Sequence, residues 1–189
     1  MRARELAEES GDVSRGRFPM MDLPNDSIIG QVLVQTGDIE AGTALVRRSA
    51  DGAAEIGWDW WRAGQLSNLA FLALDRNDLD EAERDGREGL RIVRDQENRQ
   101  WALWLLSALA RAALARGRHD LAGVLWGAVE AETVRVPSGS WQARRGEMAG
   151  ALLGEATPEF VAGVEEGGRL DLWDAAAIAL GEDDTQTEP

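Results

Sequence analysis

The sequence predicts an all-α fold, an array of α-hairpins with about 40-residue repeats and C-terminal capping helices. Three observations carry that expectation. Similar turns recur at one spacing: Gly37-Asp38-Ile39-Glu40, Asn77-Asp78-Leu79-Asp80 and Gly117-Arg118-His119-Asp120 start 40 residues apart. Apolar residues between the turns follow a three-to-four rhythm, as in Leu103, Leu106, Ala110, Ala113 and Leu114, and no segment alternates strictly at period two. Proline is confined to positions 19, 24, 137, 158 and 189, which leaves roughly residues 25–136 free of helix breakers.

Taken in order, residues 1–10 read as the second helix of an earlier, truncated repeat. Residues 11–27 read as a loop, because Gly11, Arg15-Gly16-Arg17, Pro19, Pro24 and Asn25-Asp26-Ser27 are turn formers. Together, residues 1–27 form a degenerate N-terminal unit. Three hairpins follow over residues 28–136. Each central turn opens on Gly or Asn, the residues that tolerate the left-handed conformation at a helix C-terminus. Each places Glu40, Asp80 or Asp120 at the next helix start, where a carboxylate opposes the dipole.

The offset of 40 holds on both sides of the turns. Upstream it relates Gly30, Ala70 and Ala110, and likewise Ile29, Leu69 and Leu109; downstream it relates Gly42, Ala82 and Ala122. Small residues twelve apart across a turn are what two antiparallel helices need where their backbones approach. Leu66 with Leu106, and Trp61 with Trp101, extend the match.

Pro137-Ser138-Gly139-Ser140 then reads as a linker, and Trp141 to Leu153 as one helix. Thr157-Pro158-Glu159 starts another, with an N-cap and Pro at the first position, and Gly167-Gly168 ends it. Asp171 caps a final Ala-rich helix running to Leu180. The cap spans 137–181, and the acidic tail 182–189 is expected to be disordered.

Composition narrows the chemistry. The 189 residues carry 34 acidic and 20 basic side chains, a formal charge of −14, with no Cys, no Tyr and one His. Every basic residue is Arg. Without Lys there is no P-loop or Schiff-base lysine. Without Cys there is no disulfide, thiolate site or thiol nucleophile. One His builds no multi-histidine metal site, so neither metal nor cofactor is expected. The acidity argues against direct nucleic-acid binding. No apolar run approaches the roughly 18 residues of a membrane span. Met1-Arg2-Ala3-Arg4 leads into Glu5, Glu8 and Glu9 without an apolar stretch, so a cytoplasmic protein is expected.

The hairpins resemble the tetratricopeptide repeat. That pattern of a large apolar residue, a Leu-small pair, a turn and a small residue falls on Leu66, Leu69-Ala70 and Ala82, and again on Leu106, Leu109-Ala110 and Ala122. The period is 40 rather than 34, Ala73 and Ala113 replace an aromatic residue, and the closing Pro is missing. Longer repeats of this sort resemble the MalT-like C-terminal region of LuxR-type and ATPase-coupled bacterial transcriptional regulators. Leu121 to Glu130 is similar to their “A-x-L-x-G-A-x-E” helix, and Gly168-Arg169-Leu170 to their “G-R-x-L” element. The resemblance covers roughly residues 28–181. It implies a right-handed α-hairpin solenoid and a protein, peptide or small effector as partner.

In such arrays the groove is lined by the first helix of each pair. Carrying that face across nominates Gln31, Asn68, Phe71, Trp104, Ser107 and Arg111 as a binding surface. The alternative at these positions is a wetted helix surface. Trp61, Leu69, Ala70, Ala82, Trp101, Leu109, Ala110, Ala122 and Trp126 are assigned to packing between and within repeats. Of the remaining tryptophans, Trp173 is assigned to the core, while Trp58, Trp60 and Trp141 stay open between packing and stacking on a ligand.

His119 matches Ile39 and Leu79 in the other turns and is expected to pack over a hairpin end. Carboxylate pairs such as Asp78/Asp80 and Glu165/Glu166 read as caps and solvated charge, and Arg144-Arg145 is too small for DNA binding. The resulting expectation is a non-catalytic scaffold for interaction or sensing. Two alternatives stand beside it. One is a homo-oligomerisation module, such as a homodimer; the other is a small α-helical enzyme using carboxylates.

Overall fold

The computed structural model describes residues 5, 9, 19–137, 139–154 and 157–182. Among these, nine helices and no strand are found. They are α1 (Pro19–Gln35), α2 (Ile39–Glu55), α3 (Asp59–Asp75), α4 (Leu79–Asp95), α5 (Arg99–Ala115), α6 (His119–Arg135), α7 (Gly139–Leu153), α8 (Pro158–Gly167) and α9 (Leu172–Leu180).

The first six helices are each 17 residues long and are joined by three-residue turns, so the chain reverses every 20 residues. Gly37, Gly57, Asn77, Glu97 and Gly117 all have positive φ, between 52° and 95°. In each turn the next amide reaches back five residues to a carbonyl: Asp38 to Leu33, Trp58 to Ala53, Asp78 to Ala73, Asn98 to Val93 and Arg118 to Ala113, all at 2.8–2.9 Å. This is the double-bonded helix end that satisfies the orphan carbonyls of the last turn. The connections between hairpins are therefore built like those within them, although only alternate ones carry a recognisable signature.

Sequence-adjacent helices pack in pairs, as in a helical solenoid. α1 packs on α2, α3 on α4 and α5 on α6, while α2–α3 and α4–α5 join successive hairpins and α3 also touches α5. Gly30 and Gly42 meet at the crossing of α1 and α2, where a Cβ on Gly30 would lie 2.7 Å from the Gly42 carbonyl oxygen. Ala70, Ala82, Ala110 and Ala122 occupy the matching crossings and are buried. Leu69, Leu109, Leu66, Leu106 and Leu125 fill the core between them.

The expected loop over residues 11–27 ends early, because α1 begins at Pro19 and runs through Pro24. Pro24 lacks the N–H that would bond the carbonyl four residues back, yet tertiary contacts outweigh that loss. Leu23 fills the space over Gly52, its carbonyl accepts the Ser49 hydroxyl at 2.7 Å, and Asp26 pairs with Arg48. The suggested helix over residues 1–10 and the acidic tail fall almost wholly outside the described residues.

Beyond the hairpins, α8 lies against α6, α9 rests on α4, α5 and α6, and α7 packs chiefly on α5. The α6–α8 contact is backbone against backbone. Cβ atoms on Gly123 and Gly127 would overlap the carbonyls of Phe160 and Val164, and one on Gly163 would overlap that of Asp120. Thr157 caps α8 and Asp171 caps α9 through their side chains.

Candidate functional site

The nominated surface divides into a polar half and an aromatic half. In the polar half the Ser27 hydroxyl of α1 donates to Gln65 Oε1 of α3 at 2.7 Å. Gln31 Nε2 donates to Ser27 Oγ at 3.1 Å, and Asn68 Nδ2 to the same Gln65 oxygen at 3.4 Å. Gln31 and Asn68 therefore stand at the two ends of one hydrogen-bond chain across α1 and α3, with Ser27 and Gln65 buried beneath them. A buried amide and hydroxyl are tolerated there because each has a partner.

The aromatic half runs across α3, α5, α6 and α7. Phe71 meets Trp104 edge to face at 6.4 Å, Trp104 meets Trp141 at 4.9 Å, and Trp141 leans on Trp126 at 6.1 Å. Such pairs contribute about 0.5–1.5 kcal/mol each beyond their burial. Two guanidiniums flank the row: Arg111 lies 5.8 Å over Phe71, and Arg144 lies 5.7 Å over Trp104. Arg111 also approaches Asp75 at 3.5 Å, leaving donors for a further acceptor.

Two nominated residues sit differently from an open groove. Ser107 is fully buried, and its hydroxyl donates to the Leu103 carbonyl of its own helix at 2.7 Å. Serine stands at 27, 67 and 107, one per repeat, and all three are buried; that register marks an inward position. Trp104 is only 9% exposed, because Trp141 covers it. The remaining accessible surface is Phe71 with Arg111, beside Asn68 and Gln31.

The packing tryptophans lie at repeat junctions. Trp61 donates from Nε1 to Ser49 Oγ at 2.9 Å, reaching the preceding hairpin. Trp101 lies over Gly64 of the preceding hairpin, where a Cβ would come within 2.8 Å of its ring, and its Nε1 is buried without a hydrogen-bond partner. Ser49 and Gly89 are equivalent positions, so the second repeat lacks the hydroxyl that serves the first. Trp58 stacks on Trp61 at 5.1 Å and Trp60 meets Trp101 at 5.9 Å, forming an aromatic edge on which Trp60 is 46% exposed. Trp126 is buried, and Trp173 is half-buried beneath Arg99, 5.6 Å from its ring.

No family model, no curated protein and no solved structure matches the chain.

Away from this face, a cavity of about 240 Å³ is lined by Arg99, Gln100, Leu103, Glu132, Val136 and Pro137. Glu132 is 1% exposed and receives Arg99 Nη1 on Oε1 at 2.7 Å, while Oε2 accepts no hydrogen bond and lies 3.6 Å from Arg135 Nη1. The hydrogen bond to Glu132 is the main influence holding the Arg99 guanidinium above its ordinary pKa. A larger cavity of about 520 Å³ lies against α2 and α4, among Ile39, Thr43, Ala44, Arg47, Arg76 and Glu81. Among the described residues no group of His and acidic side chains is arranged to hold a metal ion. No described helix is long and apolar enough to cross a membrane. His119 begins α6 half-buried, with Nδ1 lacking a hydrogen-bond partner.

Trp141, open between packing and ligand stacking on the sequence alone, is fully buried between Trp104 and Trp126. No repeat-equivalent position pointed to it, because it lies past the linker and outside the 40-residue register. Chemically, the face offers ring stacking, guanidinium contacts and amide hydrogen bonds, which are recognition chemistry.

Proposed function

We propose that this chain is a non-catalytic binding scaffold. On this reading it is a right-handed, tetratricopeptide-like array of the MalT-like kind, serving protein interaction or effector sensing in a cytoplasmic bacterial transcriptional regulator of the LuxR-type or ATPase-coupled class. The observation that carries the reading is the meeting of Phe71, Trp104 and Arg111 on one face. Phe71 and Arg111 are the same repeat position in successive hairpins, as is Gln31 before them, so one register supplies an amide, a ring and a guanidinium in a line.

That line suits a peptide segment that places an apolar or aromatic side chain on Phe71 and a carboxylate on Arg111. Because Phe71 belongs to α3 and Arg111 to α5, a ligand touching both biases how these helices pack, and differential affinity for two packings is what a sensor requires. The test is a titration of the purified chain with a library of acidic, aromatic-containing peptides, read by tryptophan fluorescence. Saturable binding weakened at least tenfold, roughly 1.4 kcal/mol, by Phe71→Ala and by Arg111→Gln supports the reading. Binding indifferent to both changes, or a turnover activity abolished by a single point change, overturns it.

A second reading, homo-oligomerisation, draws on the first hairpin. Met20, Met21, Ile28 and Ile39 are exposed there. Light scattering over a concentration series separates the two, since a scaffold of the first kind stays monomeric without ligand.

A further inference from the structure

α7 is attached to the molecule unlike the other helices. It packs chiefly on α5, and only Trp141, Met148 and Leu152 among its described side chains are buried, a single stripe at i, i+7 and i+11. Gly146 and Gly150 are on this helix, and a Cβ on either would meet nothing within 4 Å. No close approach requires them, in contrast to Gly123 and Gly127 of α6, so they lower the intrinsic stability of α7 without improving its packing. Trp141 is fully buried in the cradle of Trp104 and Trp126, yet its Nε1 has no hydrogen-bond partner. The Arg145 guanidinium binds the Glu130 carboxylate of α6 at the edge of that cradle.

The helix thus fits an anchor pocket by shape while being weak as a helix and imperfectly satisfied at its anchor. We infer that α7 is a built-in occupant of an interaction site, displaced by an amphipathic helix of a partner protein with the same layout. That helix carries an aromatic anchor for the Trp104–Trp126 cradle, a basic residue four positions later for Glu130, and apolar residues seven and eleven positions after the anchor. This inference rests on the scaffold reading and deepens it: the site has a resident competitor, so a partner's apparent affinity is reduced by the fraction of molecules in which α7 is docked. A partner helix that is continuous through the positions of Gly146 and Gly150 displaces α7 because it loses less entropy on docking.

The probe is a fluorescein-labelled peptide of residues 139–154, titrated into the full chain and its variants. Trp141→Ala frees the cradle, and the peptide is expected to bind this variant at least tenfold tighter than the wild-type chain. Hydrogen exchange of α7 amides should accelerate while α5 and α6 stay protected. Adding Trp104→Ala to Trp141→Ala removes one wall and should abolish the gain. Gly146→Ala with Gly150→Ala, placed where a Cβ meets only open space, should weaken peptide binding further and slow α7 exchange.

Equal binding to the wild-type and Trp141→Ala chains overturns the inference, as does loss of protection throughout α5 and α6 when Trp141 is removed. Peptide binding unmoved by the two Gly→Ala changes overturns it independently, should Trp141→Ala fail to fold. An increase in molecular mass with concentration in the wild-type chain, as α7 segments are exchanged between copies, also counts against a separate partner. These readouts are independent of the Phe71 and Arg111 titration, so either can fail alone.

Discussion

Arg47 closes a two-pronged contact on Asp85 from the neighbouring hairpin, its Nη1 donating to Oδ1 at 3.2 Å and its Nη2 to Oδ2. Asp85 has none of its surface exposed, and its repeat equivalents are Leu45 and Leu125. A carboxylate has been placed in an apolar register of the array, held by Arg47 and by Arg84 Nε at 3.2 Å. Burial works against the charge on Arg47, but the hydrogen bonds and charges of Asp85 and Glu81 outweigh it and raise its pKa.

Arg47→Met should therefore destabilise the chain by about 3 kcal/mol, because Asp85 is left buried with one partner fewer. The double change Arg47→Met with Asp85→Leu restores the leucine found in the other repeats and should recover most of that loss. Urea unfolding of the two single variants and the pair gives the coupling directly. A double variant no more stable than Arg47→Met would show that the salt bridge is not what holds α2 against α4.

Glu97 and Asn77 occupy turn positions that glycine fills elsewhere, with φ of 52° and 59°. Left-handed backbone costs a residue with a Cβ roughly 1–2 kcal/mol, part of which glycine forfeits through its freer unfolded state. Glu97→Gly is expected to stabilise by about 0.5 kcal/mol, and Asn77→Gly by less, since asparagine tolerates this region. Chemical denaturation of both variants in one buffer checks the ranking.

Glycines at the α6–α8 crossing and on α7 should respond oppositely to alanine. Gly127→Ala drives a Cβ into the Val164 carbonyl and should cost about 2 kcal/mol, lowering the melting temperature by about 4–8 °C. Gly150→Ala meets open space and should gain about 0.5–1 kcal/mol. Calorimetry on the pair decides whether backbone approach, rather than glycine content, organises the C-terminal helices.

Two exposed carboxylates set an acid-side dependence. The pKa of Glu159 is lowered by its own backbone N–H and then by the Thr157 hydroxyl, and that of Glu182 by the hydrogen bond from Arg94. Folded values below the unfolded value near 4.3 mean that their stabilisation is fully present above that pH. It is lost as pH falls through the folded values. Between pH 5 and 8 these two groups contribute no slope. A carbon-detected NMR titration should place the Glu182 midpoint below 4.3, and Glu182→Gln should remove that component of the acid response; a midpoint at or above 4.3 rules out the Arg94 contact in solution.

Much of the array was legible because its determinants are local. The turn residues Gly37, Asn77 and Gly117 announce the reversals, and Ala70 with Ala82 announces a helix crossing, since small side chains there have few other uses. The caps Thr157 and Asp171 were legible for the same reason. The intermediate turn at Glu97 was not, because glutamate carries no left-handed signal and the turn is imposed by packing on both sides. The helix through Pro24 was not legible, because local proline chemistry is overridden by contacts from Gly52, Ser49 and Arg48 on the other arm of the same hairpin.

The candidate site divides along the same line. By itself the sequence determined the period, the helical faces and the register that puts Gln31, Phe71 and Arg111 in equivalent positions, because repetition makes one hairpin a template for the next. Only the tertiary structure decided which of those residues remain accessible. Ser107 turns inward to its own helix, Trp104 is covered by Trp141, and Gln31 is tied to Asn68 through Ser27 and Gln65. Accessibility is a property of what packs above a residue, and here the covering helix α7 lies outside the repeat, where periodicity has no reach.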